Sequence, residues 1–256
     1  MIDKIELIDE KVLFKLSDDM KIDVRELGSH GHRVVVIDNF YENPEMIREL
    51  AFKSSYTSST KVRYGAPIFR NEQNFDTTHL VEFFQGIIKD QFDDWHEIDS
   101  MSVMFNATKT GVTPTTSHNI HIDGSLYGNI VYLNDDVDCV GGTSWWKHIS
   151  SGLESCPTIA NQKLAIEDEK ILLDIMPDGI VNHDNITDFR TKILFPVEKE
   201  QDPFNEESNG IWKQLLAVNA KYNRMVIYPG SYFHSADLSA DDYVDSWRLC
   251  QVGMLD

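Results

Sequence analysis

Cysteine is scarce in this chain. It occurs three times in 256 residues, at Cys139, Cys156 and Cys250. An odd count with wide spacing gives neither a disulfide framework nor a zinc-finger pattern. Basic residues are also few: 23 Lys+Arg stand against 42 Asp+Glu, a formal net charge of −19, and no two Lys or Arg are adjacent. A nucleic-acid backbone needs clustered cations that displace its counterions, so it is excluded as a main partner. No apolar run approaches the roughly 18 residues of a membrane span. The first residues, Met1-Ile2-Asp3-Lys4-Ile5-Glu6, place acids where a secretory leader needs an apolar core. The expectation is a soluble, cytoplasmic protein with no nucleic-acid or membrane partner. Internal repeats, low-complexity tracts and a separate linker are absent as well.

What is present is an ordinary globular composition, with 41% apolar and 11% aromatic residues. The acids fall in short groups, among them Asp135-Asp136, Glu167-Asp168-Glu169 and Asp241-Asp242, which is the pattern of a solvated surface. The length suits one domain, 1–256, since β-rich domains of about 200–250 residues are common.

The first hundred residues mix strands and helices. Val12–Leu16 and Arg33–Ile37 read as strands. Asn43-Pro44 reads as a helix start, with Asn as cap and Pro at the first helical position. A second helix fits 77–92, where Leu80, Val81, Phe83, Phe84, Ile87, Ile88 and Phe92 make a broad apolar face. From residue 100, short β-type runs dominate: Met101–Ala107, Asn129–Leu133, Thr143–Trp146, Ile193–Val197, Leu215–Val218, Met225–Tyr228 and Trp247–Val252. Turn residues such as Asp123-Gly124, Gly141-Gly142 and Pro229-Gly230 separate several of them. This pattern predicts a sandwich or jelly roll. Residues 1–100 then form an N-terminal α/β support, 101–146 and 213–256 the jelly-roll core, and 147–212 an insertion over one end, with a helix at about 161–173 and polar loops such as Asp202–Gly210.

The sharpest local motif is His121-Ile122-Asp123. On a strand, residues two apart share a face, so an imidazole and a carboxylate converge. A second histidine from a distant strand would complete a set of two His and one carboxylate, which leaves one side of Fe(II) open. His234, just beyond the strand Met225–Tyr228 and the turn Pro229-Gly230, is the best candidate. Arg248 follows 14 residues later and is the sole Lys or Arg in 225–256, among five acids. Its neighbours Trp247, Leu249, Val252 and Met254 are apolar. A guanidinium buried there needs a partner and is shaped to grip a carboxylate with two hydrogen bonds. An ordinary ion pair with Asp237, Asp241, Asp242, Asp245 or Asp256 is the simpler alternative.

Together these features resemble the iron(II)- and 2-oxoglutarate-dependent dioxygenase superfamily, whose pattern is His-x-Asp/Glu, a distant His, then Arg or Lys roughly 10–15 residues on. Asn129-Ile130-Val131-Tyr132-Leu133-Asn134-Asp135 followed by Gly141-Gly142-Thr143 is similar to the Tyr-Leu-Asn…Gly-Gly stretch of its prolyl-hydroxylase-like branch. Tyr222–Gly230 leading to Phe233-His234-Ser235-Ala236 is similar to the strand and turn that present the second histidine. The layout also resembles a poorly characterised group of bacterial and phage oxygenases in that superfamily. The resemblance covers about 101–145 and 215–254.

It implies a double-stranded β-helix, a cupin-like barrel. It implies Fe(II) held by His121, Asp123 and His234. It further implies 2-oxoglutarate bound by Arg248 and the Tyr132 hydroxyl, and use of O2 with release of succinate and CO2. A carboxylate at 123 implies hydroxylation of an unactivated C–H bond in place of halogenation, with desaturation or demethylation as variants. The candidate substrates are an amino acid, a small peptide-like metabolite or a protein side chain; the 147–212 segment, as a lid, favours an enclosed small molecule, and the acidic balance favours a cationic group on it. One departure is Cys250, where some members carry a serine that also binds the cosubstrate.

Several residues have competing readings. His118 lies three before His121, but in an extended segment the two face opposite ways. His30-Gly31-His32 precedes a strand and resembles a cupin histidine pair, but no glutamate follows at cupin spacing, so it reads as a loop. Trp145 and Trp146 alternate inward and outward, and the inward ring either lines a substrate pocket or packs the core. Two rival functions keep the fold: a cupin-like barrel that binds a sugar or small ligand without 2-oxoglutarate, and an interaction protein whose His/Asp/His set is structural.

Overall fold

The computed structural model describes residues 9–58, 69–71, 75–109, 120–156, 210–239 and 241–256. The expected helix at 161–173, the strand Ile193–Val197, most of the loop Asp202–Gly210 and His118 lie outside the described residues.

The described chain is mainly β with three helices. Helix α1 (Glu10–Leu13) is followed by strands β1 (Lys21–Leu27) and β2 (His32–Asp38), helix α2 (Pro44–Lys53), the short strands β3 (Tyr56–Ser58) and β4 (Phe69–Asn71), and helix α3 (Thr78–Gln91). The strands β5 (Met101–Thr108), β6 (Tyr127–Tyr132), β7 (Gly142–His148), β8 (Trp212–Asn219), β9 (Met225–Pro229), β10 (His234–Asp237) and β11 (Arg248–Leu255) complete it. They form an eight-stranded sheet in the order β1-β2-β9-β6-β11-β5-β4-β3 and a three-stranded sheet in the order β10-β7-β8. Every strand pairing is antiparallel. The order is strongly non-sequential, and the two facing sheets make the jelly roll that the strand pattern predicts.

Strand alternation sorts the large sheet into two cores. Val35 and Ile37 of β2, Tyr127 and Val131 of β6, Met225 and Ile227 of β9, and Leu249 and Leu255 of β11 join a cluster with Ile47, Leu50, Leu80, Phe84 and Ile88 from the helices. Their neighbours Val34, Val36, Tyr132, Val226, Tyr228 and Cys250 point the other way and meet Trp145 and Val218 of the small sheet. The helices therefore brace the back of the sheet and leave its front free to line the barrel. Phe84 and Ile88 are fully buried; each contributes about 1.5–3 kcal/mol of burial.

The helix start at Asn43-Pro44 is as expected, one strand reading is overturned, one cap differs in detail and one strand is new. Val12–Leu16 is not a strand: Asp9 caps a short helix by accepting the Lys11 N–H at 2.9 Å, and only Leu16 makes a single bridge, to Tyr41. Asn43 does not cap α2 through its side chain; its carbonyl accepts from Met46 at 3.1 Å. β1 is an additional edge strand, unseen because most of its residues are exposed and no apolar face marks it. The turn before β9 is held by Asn223, which has a positive φ of 57° and bonds both the N–H and the carbonyl of Tyr41. A β-branched residue would be strained in that conformation.

Candidate metal centre

His234 opens β10 and is buried, and His121 bridges it from the neighbouring segment. The two residues exchange backbone hydrogen bonds, N–H to carbonyl, at 2.9 Å each way. Their rings lie 4.3 Å apart. Asp123 follows in coil, so the strand expected for His121-Ile122-Asp123 reduces to one bridge. Its backbone is fixed instead by the Asp123 N–H donating to the Gly230 carbonyl at 2.8 Å. The turn Pro229-Gly230 thus sets both Asp123 and the approach to His234.

The three side chains converge. Asp123 Oδ2 lies 3.5 Å from His234 Nε2, and Oδ1 lies 3.9 Å from His121 Nε2. One ligand atom from each falls within 4.8 Å of the others. The Nδ1–H of His234 donates to the Tyr232 carbonyl at 2.9 Å, which leaves Nε2 with its lone pair toward Asp123. Burial lowers the His234 pKa to about 4, against the pull of Asp123, so its imidazole is neutral at pH 7. His121 is about half exposed, so the site opens to solvent on that side. Two imidazoles and one carboxylate fit a divalent transition metal and leave coordination positions open.

Gly128 and Tyr228 wall the carboxylate. A Cβ on Gly128 would lie 2.5 Å from Asp123 Oδ2 and 3.1 Å from the Tyr228 ring. Tyr228 is buried and its ring sits 4.6 Å from that of His234. Burial, then the Asp123 charge, pushes the Tyr228 hydroxyl well above its ordinary pKa, so it stays protonated. Gly128 carried no motif, and Tyr228 lay within the Tyr222–Gly230 stretch without a role of its own. The one available signal was strand alternation, which puts Tyr228 on the same face as Val226.

Further along the same face lie Arg248 and Tyr132. The residue pair Tyr132 and Cys250 is in register across β6 and β11, and the Arg248 guanidinium sits 5.7 Å over the Tyr132 ring. The Tyr132 hydroxyl shares a 2.7 Å hydrogen bond with Thr143 Oγ1. Arg248 is buried, and its Nη2 donates to the Gly142 carbonyl at 3.2 Å. Its Nε has no hydrogen-bond partner among the described residues. Among the described residues no acid pairs with it; the simpler alternative of an ion pair with a nearby Asp is not seen. The groups around it are Cys250, Tyr132, Tyr243 and Cys139. Burial raises all four, Tyr243 and Cys139 to about 12, so they are neutral at pH 7. A buried cation left without an anion costs several kcal/mol. The donor set fits the distal carboxylate of a dicarboxylate such as 2-oxoglutarate.

Both tryptophans are buried. Trp145 stands opposite His234 in the register, fully buried, with its ring 5.4 Å from Tyr228 in an edge-to-face contact. Its Nε1 has no hydrogen-bond partner among the described residues. A register irregularity separates it from Trp146, whose Nε1 donates to Ser235 Oγ at 2.9 Å. Trp145 is thus the ring on the barrel side.

An antiparallel jelly-roll barrel carrying a His/Asp/His set is the class that the fold and site define. The chain belongs to a family of unknown function (DUF6445), which matches residues 18–186 and 181–247. No curated protein matches it in sequence. Among solved structures it is similar to a Pseudomonas putida prolyl-4-hydroxylase, with TM-score 0.44, 10% identity, and coverage of 88% of this chain and 92% of that one. It is similar to the non-heme alpha-ketoglutarate-dependent carbocyclase SnoK from nogalamycin biosynthesis, with TM-score 0.44, 14% identity, and coverage of 98% and 85%. It is also similar to the Fe(II)/alpha-ketoglutarate-dependent dioxygenase TqaL, with TM-score 0.36, 10% identity, and coverage of 83% and 73%. Likenesses this distant carry no functional argument; the site's own residues do. No described helix is long and apolar enough to cross a membrane.

Proposed function

We propose that this chain is an Fe(II)/2-oxoglutarate-dependent oxygenase that hydroxylates a small molecule, an amino acid or peptide-like metabolite. The observation that carries this reading is the pairing of two features on one barrel interior. His121, Asp123 and His234 converge within 4.8 Å, and a buried Arg248 with no acid partner among the described residues stands beside Tyr132. When bound, Fe(II) would activate O2 and 2-oxoglutarate would be decarboxylated to succinate, supplying the oxidising power for the C–H bond. The protein's own share is positioning. His234 is pre-set in one tautomer by the Tyr232 carbonyl and Asp123 is fixed by the Gly230 carbonyl; Arg248 and the Tyr132 hydroxyl would hold the far carboxylate of the cosubstrate. Trp145, opposite His234 and packed on Tyr228, backs the His/Asp/His set from the core, and the 147–212 segment would serve as the lid. The net charge of −19 favours a substrate bearing a cationic group.

The test is anaerobic addition of Fe(II) and then 2-oxoglutarate to the purified chain. A weak visible charge-transfer band is expected. Arg248→Ala should lose the band while retaining the metal. A wild type that binds neither ligand overturns the reading in favour of a barrel without this chemistry.

A further inference from the structure

A second convergence lies away from the His/Asp/His set. The turn between β1 and β2 carries Ser29, His30 and Gly31, and β2 begins at His32. Onto this turn folds Glu154, from the segment after β7, more than a hundred residues later. Its side chain is 1% exposed. The carboxylate accepts the Ser29 N–H at 3.0 and 3.1 Å and the Ser29 hydroxyl at 3.1 Å, and His30 Nδ1 lies 3.0 Å from Oε2. Gly28 has a φ of 66°, and any Cβ there would collide with the Glu154 carboxylate. The turn is therefore shaped to admit that group.

The His30 and His32 rings are 6.1 Å apart, and ligand atoms of His30, His32 and Glu154 all fall within 4.8 Å of one another. Burial lowers the His32 pKa, ahead of an opposing pull from Glu154, which keeps its imidazole neutral. Burial raises Glu154, but hydrogen bonds from His30 and Ser29 outweigh it and hold the carboxyl below its ordinary value, so it is ionised. Two imidazoles and one carboxylate, with an exposed side at His30, form the donor set of a four-coordinate site that keeps one position for water.

We propose that His30, His32 and Glu154 form a second divalent-metal site, distinct in its residues from the His121/Asp123/His234 set. The metal ties the β1–β2 hairpin to the segment 149–156. That segment is bonded to the turn before His234: Ser155 bridges Tyr232, and the Cys156 N–H donates to the Ser231 carbonyl at 2.7 Å. The His32 ring packs 4.8 Å from the Tyr232 ring, and Tyr232 offers the carbonyl that orients His234. The second site thus buttresses the backbone that presents a ligand of the first, without sharing a donor.

Equilibrium dialysis of the full chain against chelator-buffered micromolar Zn(II), with bound metal counted by mass spectrometry, tests this. His30→Ala is expected to lower bound zinc by one equivalent per chain, and so are His32→Gln and Glu154→Gln. Zinc should raise the melting temperature of a His121→Ala chain and fail to raise it once His30→Ala is added. An unchanged zinc count in His30→Ala overturns the site. A loss in the histidine variants with none in Glu154→Gln also overturns it, since that describes an adventitious surface histidine pair. His30 is partly exposed, so its variant folds even where the buried ones do not. The readout is a difference, so failure of the His/Asp/His set to bind metal would change the total and leave this loss intact.

Discussion

Gly128 faces the carboxylate of Asp123 so closely that a methyl group at its Cβ would lie 2.5 Å from Oδ2. The two residues belong to different segments, one the second position of β6 and the other the coil after His121. Their contact explains how a carboxylate off any regular strand is still aimed at His234. The β6 backbone forms a floor beneath it, and the Tyr228 ring forms the side.

Gly128→Ala therefore pushes Asp123 out of line. The methyl meets the end of the Asp123 carboxylate at 2.5 Å and a buried ring at 3.1 Å, so the carboxylate must turn away to make room. The expected outcome is at least a tenfold loss of Fe(II) affinity, about 1.4 kcal/mol, with circular dichroism unchanged. Metal titration followed by intrinsic fluorescence measures it. Wild-type affinity in the variant would mean that Asp123 does not need this approach.

Tyr132→Phe tests the end of the barrel proposed to hold the cosubstrate. The hydroxyl bonds Thr143 at 2.7 Å in a fully buried setting, and its removal leaves Thr143 Oγ1 without that partner. A stability loss of about 1–3 kcal/mol follows, read as a lower urea midpoint. If the hydroxyl also holds 2-oxoglutarate, the KM for 2-oxoglutarate rises several-fold while metal affinity stays constant. Equal loss of both would place Tyr132 in the structure alone.

The sheet core was legible in the sequence because each central strand has both faces marked. Val34–Ile37 and Met225–Tyr228 are buried on both faces, so they read as short continuous apolar runs, and in the fold their residues alternate between the helix-backed core and the barrel core. Arg248 was legible for the opposite reason, as a lone cation in an acidic, apolar surrounding. The strand β1 was hidden because an exposed edge needs no apolar pattern. Val12–Leu16 misled because a short apolar run looks alike as strand or helix, and the Asp9 cap decided it. Glu154 was out of reach altogether. Nothing local ties it to His30 and His32, and only the return of the chain after β7 brings them together. Long-range closeness without a shared motif is the part that a single sequence withholds.

Asp38 gives a prediction that does not depend on the metal site. At the end of β2 it accepts from Arg224 Nε at 2.6 Å, Arg224 Nη2 at 3.1 Å and Lys221 Nζ at 3.0 Å, tying β2 to the turn before β9. The Arg224 hydrogen bond, against the cost of burial, holds its carboxyl below the ordinary 3.8. The unfolded chain then binds the proton more readily than the folded one. Stability from this group is complete above the unfolded pKa and is lost as pH falls through the lower folded value. Asp38→Asn cannot titrate, so it should melt below the wild type at pH 6. The gap should narrow below about pH 4 and close in stronger acid. Melting curves of both proteins between pH 6 and the acid limit of folding decide it. A gap that stays constant through that range would show that the Arg224 pair contributes through shape alone and not through the charge on Asp38.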